Sequence, residues 1–317
     1  MYQRIKAIDL NSLKGEDKKL TEYYLQQFEL AGANLSASNK EKMKKINSEL
    51  ATLGTSFGNK LLIARKNGAV LFDNESDLDG LSADELAASK VRAKEAGHEG
   101  KYLIGLLNTT QQPLLPSLKN RATREKIYKS SWTRAEKNDD GDTREILLKM
   151  AKLRLQKAKL MGKKSYAEWR LQDQMAKTPA NAMNLLAQIA KPAVAKAKVE
   201  AKEIQDLIDS QNGGFKLQPW DWNFYSEQVR KAKYDLDESQ IKPYFELTTV
   251  LEKGVFFAAK QMFGITFKER KDLPVYNPDV VAYEVFDNDG NSMAIYYLDF
   301  YTRDNKNGGA WMNNFVN

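Results

Sequence analysis

The chain has 317 residues, 42% apolar and 29% charged, a globular balance with enough length to bury a core in one large domain or two smaller ones. It holds one histidine and no cysteine, which excludes disulfides, thiolate catalysis and cysteine-based metal sites. The net charge of +7 comes from the middle third, where residues 101–210 carry 22 basic against 12 acidic side chains.

A basic region attracts nucleic acid or acidic peptide, but lysines spread along helices read as solvated faces, and no nucleic-acid partner is expected. No apolar run reaches about 18 residues, so no membrane partner is expected either. The opening residues lack the apolar block of a secretory signal, and the absence of cysteine fits a cytoplasmic location.

Along the chain most segments read as helix. Leu20, Tyr23, Tyr24 and Phe28 recur near the helical period until Gly32, and Ser36 caps a long helix to about Lys66 with Met43, Ile46, Leu50, Leu53, Phe57 and Leu61 on one face. Ser82 and Glu85 have capping-box spacing and open a helix that ends at Gly97. A turn-rich stretch from Gly100 to Lys119 precedes a helix from about Arg121 to Lys137, which Asn138-Asp139-Asp140-Gly141 breaks. Asp142 with Glu145, and Ser165 with Glu168, mark two further starts. Thr178-Pro179 then opens a helix to about Ser210, lined by Leu186, Ala193, Ala197, Ile204 and Ile208 and kinked at Pro192.

Asn212-Gly213-Gly214 is a break, dividing residues 1–211 from residues 212–317. A helix starting at Asp221 and an apolar helix over 240–263 follow. Val280–Phe286 and Met293–Phe300 alternate as strands, joined by Asp287-Asn288-Asp289-Gly290-Asn291 as a hairpin. The expected fold class is mainly α: a multi-helix scaffold with one small antiparallel β-hairpin near the C-terminus.

The chemistry is read mostly from what is missing. Catalytic zinc needs three protein ligands, usually two or three of them histidines. The single histidine, His98, lies in a Gly97-His98-Glu99-Gly100 turn, so neither an H-E-x-x-H helix nor a supported Ser/His/Asp triad can be built. Asp287-Asn288-Asp289-Gly290 resembles the start of a calcium loop but lacks its twelfth-position Glu and reads as the hairpin turn. Two aromatic or glycine-rich segments remain. Pro219–Tyr225 is dense in aromatics and suits either a substrate cleft or packing at a helix start. Tyr301–Trp311 is polar and glycine-rich, suiting either a loop beside a cleft or a plain solvent loop.

Ala31-Gly32-Ala33-Asn34-Leu35, Lys164–Leu171, Met175–Pro179, Pro219-Trp220-Asp221 with Phe224-Tyr225, Met262–Ile265 and the hairpin through Asp299, Arg303, Lys306 and Gly308-Gly309-Ala310-Trp311 occur in one order across nearly the whole chain. In that order they resemble the dipeptidyl carboxypeptidase branch of the thimet-oligopeptidase-like zinc peptidases. The resemblance implies a helical fold with a deep channel, short peptides as substrates of the complete enzyme, and release of dipeptides from free C-termini. It implies zinc in the complete enzyme, held by two His and a Glu in a region that follows Gly-Gly-Ala-Trp, and none bound to this chain alone. No catalytic residue carries over.

Tyr225, Arg303, Gly308, Gly309 and Trp311 are the candidates for lining the substrate cleft. The chain is expected to be an internal stretch of the family's sequence, residues 1–211 forming a channel wall and 212–317 leading towards a zinc-bearing partner region. That reading requires an exposed apolar face where the partner region packs. The alternative is a non-catalytic helical module that binds peptides or proteins.

Overall fold

The computed structural model describes residues 1–317 other than 108, 236–237, 304, 307–311 and 315–317, with backbone alone at 238–239. Two compact units emerge, Met1–Tyr225 and Ser226–Asn317. The chain is mainly α, with two small antiparallel sheets.

Unit 1 begins with α1 (Tyr2–Lys6) and α2 (Gly15–Leu30), followed by α3 (Ala37–Asn67), whose first turn is held by Ser36 Oγ accepting from the Asn39 amide at 3.3 Å. Of the stripe expected on α3, Met43 and Ile46 are buried. They share this packing with α6 (Arg144–Leu160), which buries Ile146, Leu153 and Ala158.

A two-stranded ladder, β1 (Val70–Phe72) with β2 (Tyr102–Ile104), was not visible in the sequence. It pairs Val70 with Ile104 and Phe72 with Tyr102, and their side chains form the main core with Leu78, Leu115, Leu118 and Ile127. Each of those apolar side chains contributes on the order of 1.5–3 kcal/mol by leaving water.

Between the strands, α4 (Ala83–Glu95) carries the full reciprocal capping box of Ser82 and Glu85. α5 (Arg121–Trp132) ends five residues before the expected Lys137, in a turn where Ala135 and Asn138 take positive φ. At the start of α6 the Asp142 carboxylate accepts from the Asn138 and Arg144 amides instead of acting as the N-cap, which is Thr143. The Ser165 start yields only a short helix, α7 (Tyr166–Arg170).

α8 (Pro179–Ser210) is capped by Thr178 as expected and runs through Pro192, whose missing N–H leaves the Gln188 carbonyl without its helical donor. Only Ile204 and Ile208 are buried on it. Met183, Leu185, Leu186, Ile189, Val194 and Val199 are 54–62% exposed. Apolar side chains all round a helix normally mark a buried element.

α9 (Pro219–Tyr234) starts with the Asp221 carboxylate accepting from the Gln218 amide at 3.1 Å. In unit 2 the expected single helix over 240–263 is a series of short pieces: α10 (Glu238–Ile241), α11 (Leu247–Val250), a π-helical turn (Leu251–Phe256) and α12 (Phe257–Phe263). Gly264 stops them in the left-handed conformation.

The hairpin forms from β4 (Val281–Phe286) and β5 (Ser292–Leu298). A further strand, β3 (Thr266–Glu269), lies on the other side of β4. Phe256 stacks on Phe267 at 4.1 Å and meets Tyr283 edge-on at 5.0 Å. The turn is closed by Asp287, whose Oδ1 accepts from the Asp289 and Asn291 amides, so the carboxylate that resembled a calcium ligand is occupied by its own loop.

Candidate functional site

Two clusters hold the described candidate residues, one in each unit. In unit 2, β5 delivers Asp299 just past its last residue. Arg303 grips that carboxylate with both terminal nitrogens, at 2.8 Å to Oδ1 and 2.6 Å to Oδ2. Lys306 adds an ion pair at 3.1 Å to Oδ1, donates to the Asp299 carbonyl, and donates to the Tyr301 carbonyl at 3.0 Å. Tyr276, from the connection before β4, donates its hydroxyl to Asp299 Oδ2 at 3.0 Å.

The Arg303 contact, followed by Lys306 and Tyr276, holds the Asp299 carboxyl far below the usual carboxylate range. Asp299 in turn holds the Arg303 guanidinium above its ordinary value and raises the Tyr276 phenol. The result is a polar latch that ties Arg303 and Lys306 to Asp299 at the end of β5. Gly308, Gly309 and Trp311 lie outside the described residues.

In unit 1, Asp221 is fully buried and receives two arginines. Arg121 donates from Nε and Nη2 at 3.0 and 2.9 Å, and Arg124 from Nη2 at 3.0 Å. Arg124 is itself buried, gives Nη1 to the Leu118 and Lys119 carbonyls, and has a buried Nε with no acceptor. Aromatic faces surround the guanidinia: Phe215 lies 4.1 Å from Arg121, and Phe224 lies 4.3 Å from Arg124.

Tyr225 belongs to this shell. It is buried, edge-on to Phe224 at 5.1 Å and 5.8 Å from Arg124. The Pro219–Tyr225 aromatics thus sheathe a buried ion cluster that fixes the start of α9 to α5. Tyr225 sits in unit 1 and Arg303 in unit 2, each in its own cluster.

The residues present do not fit a zinc centre. His98 is exposed in the turn after α4, no other imidazole or thiolate exists in the sequence, and no group of three His, Cys, Asp or Glu converges among the described residues. No helix of the described residues is long and apolar enough to cross a membrane.

Asp299 and Tyr276 were not singled out as site residues from sequence. The Asp299–Arg303 spacing of four was the available signal, but outside a helix that spacing carries no geometric meaning.

A family model described as Peptidase family M3 matches residues 114–317. The chain is 50% identical over 316 residues to the dipeptidyl carboxypeptidase of Escherichia coli (strain K12), covering 100% of this chain and 46% of that protein. It is 33% identical over 311 residues to oligopeptidase A of the same organism, covering 96% and 45%. It is 34% identical over 330 residues to the organellar oligopeptidase A of Arabidopsis thaliana, covering 100% and 41%. The chain therefore spans about half the length of the curated relatives it matches.

Proposed function

This chain belongs to peptidase family M3, and from that premise we propose that it is the helical channel wall of a zinc-dependent peptidyl-dipeptidase that releases dipeptides from the free C-termini of short peptides. The observation that carries the reading is the 50% identity to a dipeptidyl carboxypeptidase along the whole chain, against 33% to an oligopeptidase A over nearly the same residues. Zinc belongs to a partner region that supplies the missing imidazoles, and residues 212–317 lead towards it. The wetted apolar surface of α8 supports a partner of that kind, because such side chains gain about 25 cal/mol per Å² when covered.

In this reading Arg303, held by the Asp299 latch, lines the substrate cleft, and Gly308, Gly309 and Trp311, which lie outside the described residues, are its further lining candidates. Tyr225 acts from the buried shell, by holding the wall in shape. Most lysines of the basic third are exposed, as the Lys202–Asp206 pair on α8 illustrates. The complete enzyme works in the cytoplasm, which suits a sequence without cysteine.

The test is reconstitution. The chain is mixed with a polypeptide carrying the zinc-binding region of the E. coli relative, and cleavage of a blocked tripeptide is followed. Activity that needs both polypeptides and is abolished by a chelator is expected, and Arg303→Ala should raise KM more than it lowers kcat. Chelator-sensitive hydrolysis by this chain alone would overturn the proposal.

A further inference from the structure

Unit 1 contains a second polar site that the peptidase reading does not use. A cavity of about 290 Å³ opens between α2, α3, α6 and α7. Its volume is that of about ten waters, at the small end for ligand pockets and suited to a molecule of amino-acid size. Leu30 and the face of Trp169 give it an apolar side, while Lys157, Arg170, Asn47 and Asp173 give it a polar one.

The polar side carries an excess of positive charge that its own groups do not neutralise. Lys157 Nζ donates to the neutral Asn47 Oδ1 at 2.8 Å and lies 4.7 Å over the Trp169 ring, and it pairs with no carboxylate among the described residues. Arg170 makes no hydrogen bond and no ion pair among the described residues. The one acid in the lining, Asp173, already accepts from Gln174 at 2.8 Å, and that bond, with the Arg170 charge after it, holds its carboxyl below the ordinary value. Burial, and then the nearby Arg170 charge, pulls the Lys157 ammonium below its ordinary value, as expected for a cation short of a counter-ion. An entering anion relieves both penalties at once, and an organic body attached to it covers Trp169 and Leu30.

We infer that this cavity, with Lys157 and Arg170 on one side and Trp169 on the other, is a binding site for a small organic carboxylate of amino-acid size. Lys157 supplies the partly buried charge-assisted hydrogen bond, Arg170 a second donor from the rim, and Asn47 holds Lys157 in place. Asp173 discriminates against dianions, which meet its charge. Such a carboxylate could come from a free acid or from the C-terminus of a short peptide, and the two share this chemistry.

Calorimetric titration of the full chain at pH 7 with N-acetyl-leucine, Gly-Leu and N-acetyl-leucinamide tests it. Both carboxylates should bind with a Kd on the order of 1 mM, the range for a dozen or so non-hydrogen atoms. The neutral amide should bind at least about tenfold more weakly. Arg170→Gln removes an exposed side chain that makes no hydrogen bond or ion pair among the described residues and acts on Asp173 only through its charge, so it leaves folding intact and should weaken binding by about threefold to fivefold. Lys157→Gln should weaken it by about tenfold or more. 4-Methylpentanoate, which has the same side chain and carboxylate without the peptide bond, separates the two sources: tighter binding of Gly-Leu and N-acetyl-leucine assigns the site to peptide C-termini, and tighter binding of 4-methylpentanoate assigns it to free acids. The inference fails if the amide binds as well as the acids, if neither carboxylate binds at about 10 mM, or if Arg170→Gln and Lys157→Gln bind like the parent.

Discussion

Arg124 donates a 3.0 Å hydrogen bond to Asp221 across 97 residues of sequence, and neither side chain reaches solvent. Asp221 is the shared counter-ion of that arginine and of Arg121, so removing its charge strands two guanidinia, one of them wholly buried. Asp221→Asn should cost about 3–5 kcal/mol, the penalty for breaking a buried pair from one side. Urea denaturation followed by tryptophan fluorescence measures it. A loss below about 1 kcal/mol would mean that the aromatic shell alone stabilises the arginines.

Acid should loosen unit 2 in a defined window. Asp299 is held low by Arg303, Glu246 is lowered to about 2 by the Thr248 and Thr249 amides it caps, and Asp272 is lowered to about 2 by Arg270. Each has a lower pKa folded than unfolded. The unfolded chain therefore takes up protons first as pH falls, and stability rises with pH. The contribution is complete above about pH 5 and drains away between about pH 4 and 2. Amide exchange in β4 and β5 across that range reports it, and Glu246→Gln should flatten the slope. A protection factor that stays constant between pH 5 and 2, once the intrinsic exchange rate at each pH is divided out, contradicts the assignment.

Gly80 has φ +102°, and a Cβ there would sit 1.9 Å from the Ser117 carbonyl oxygen, part of the connection that also pairs the Lys119 amide with the Asp79 carbonyl. Gly80→Ala combines left-handed strain with a backbone collision and should cost about 3 kcal/mol. Thermal denaturation checks it. A neutral result would mean that the 115–119 segment moves away freely, although Leu115 and Leu118 anchor it in the core.

Metal handling follows from the donor set. With one exposed imidazole and no thiol, the isolated chain should retain well below one equivalent of zinc after dialysis, and a chelator should leave its melting temperature unchanged. Elemental analysis paired with thermal denaturation decides this. A stoichiometric, stabilising zinc would require ligands that no described arrangement provides.

What the sequence made legible was local. Ser36, Ser82, Ser165 and Thr178 all cap where their spacing said, because an N-cap needs only its own next three residues. The hairpin turn was readable for the same reason. The β1–β2 ladder was not, because three residues are too few to show alternation and their partners lie some thirty residues away.

The surroundings of the candidate residues were illegible for the same reason. Aromatic density at Pro219–Tyr225 is equally the signature of a cleft and of a sheath around buried charge, and the charges, Arg121 and Arg124, are about a hundred residues upstream. Tyr276 reaches Asp299 across 23 residues with no motif joining them.

The bare apolar surface of α8 also bears on how the polypeptide must be handled. On a ribosome, or in a bacterial host making this chain, a long helix with exposed apolar sides is a target for holdase chaperones and a seed for precipitation. Low temperature and dilute conditions should decide whether the purified material is monodisperse.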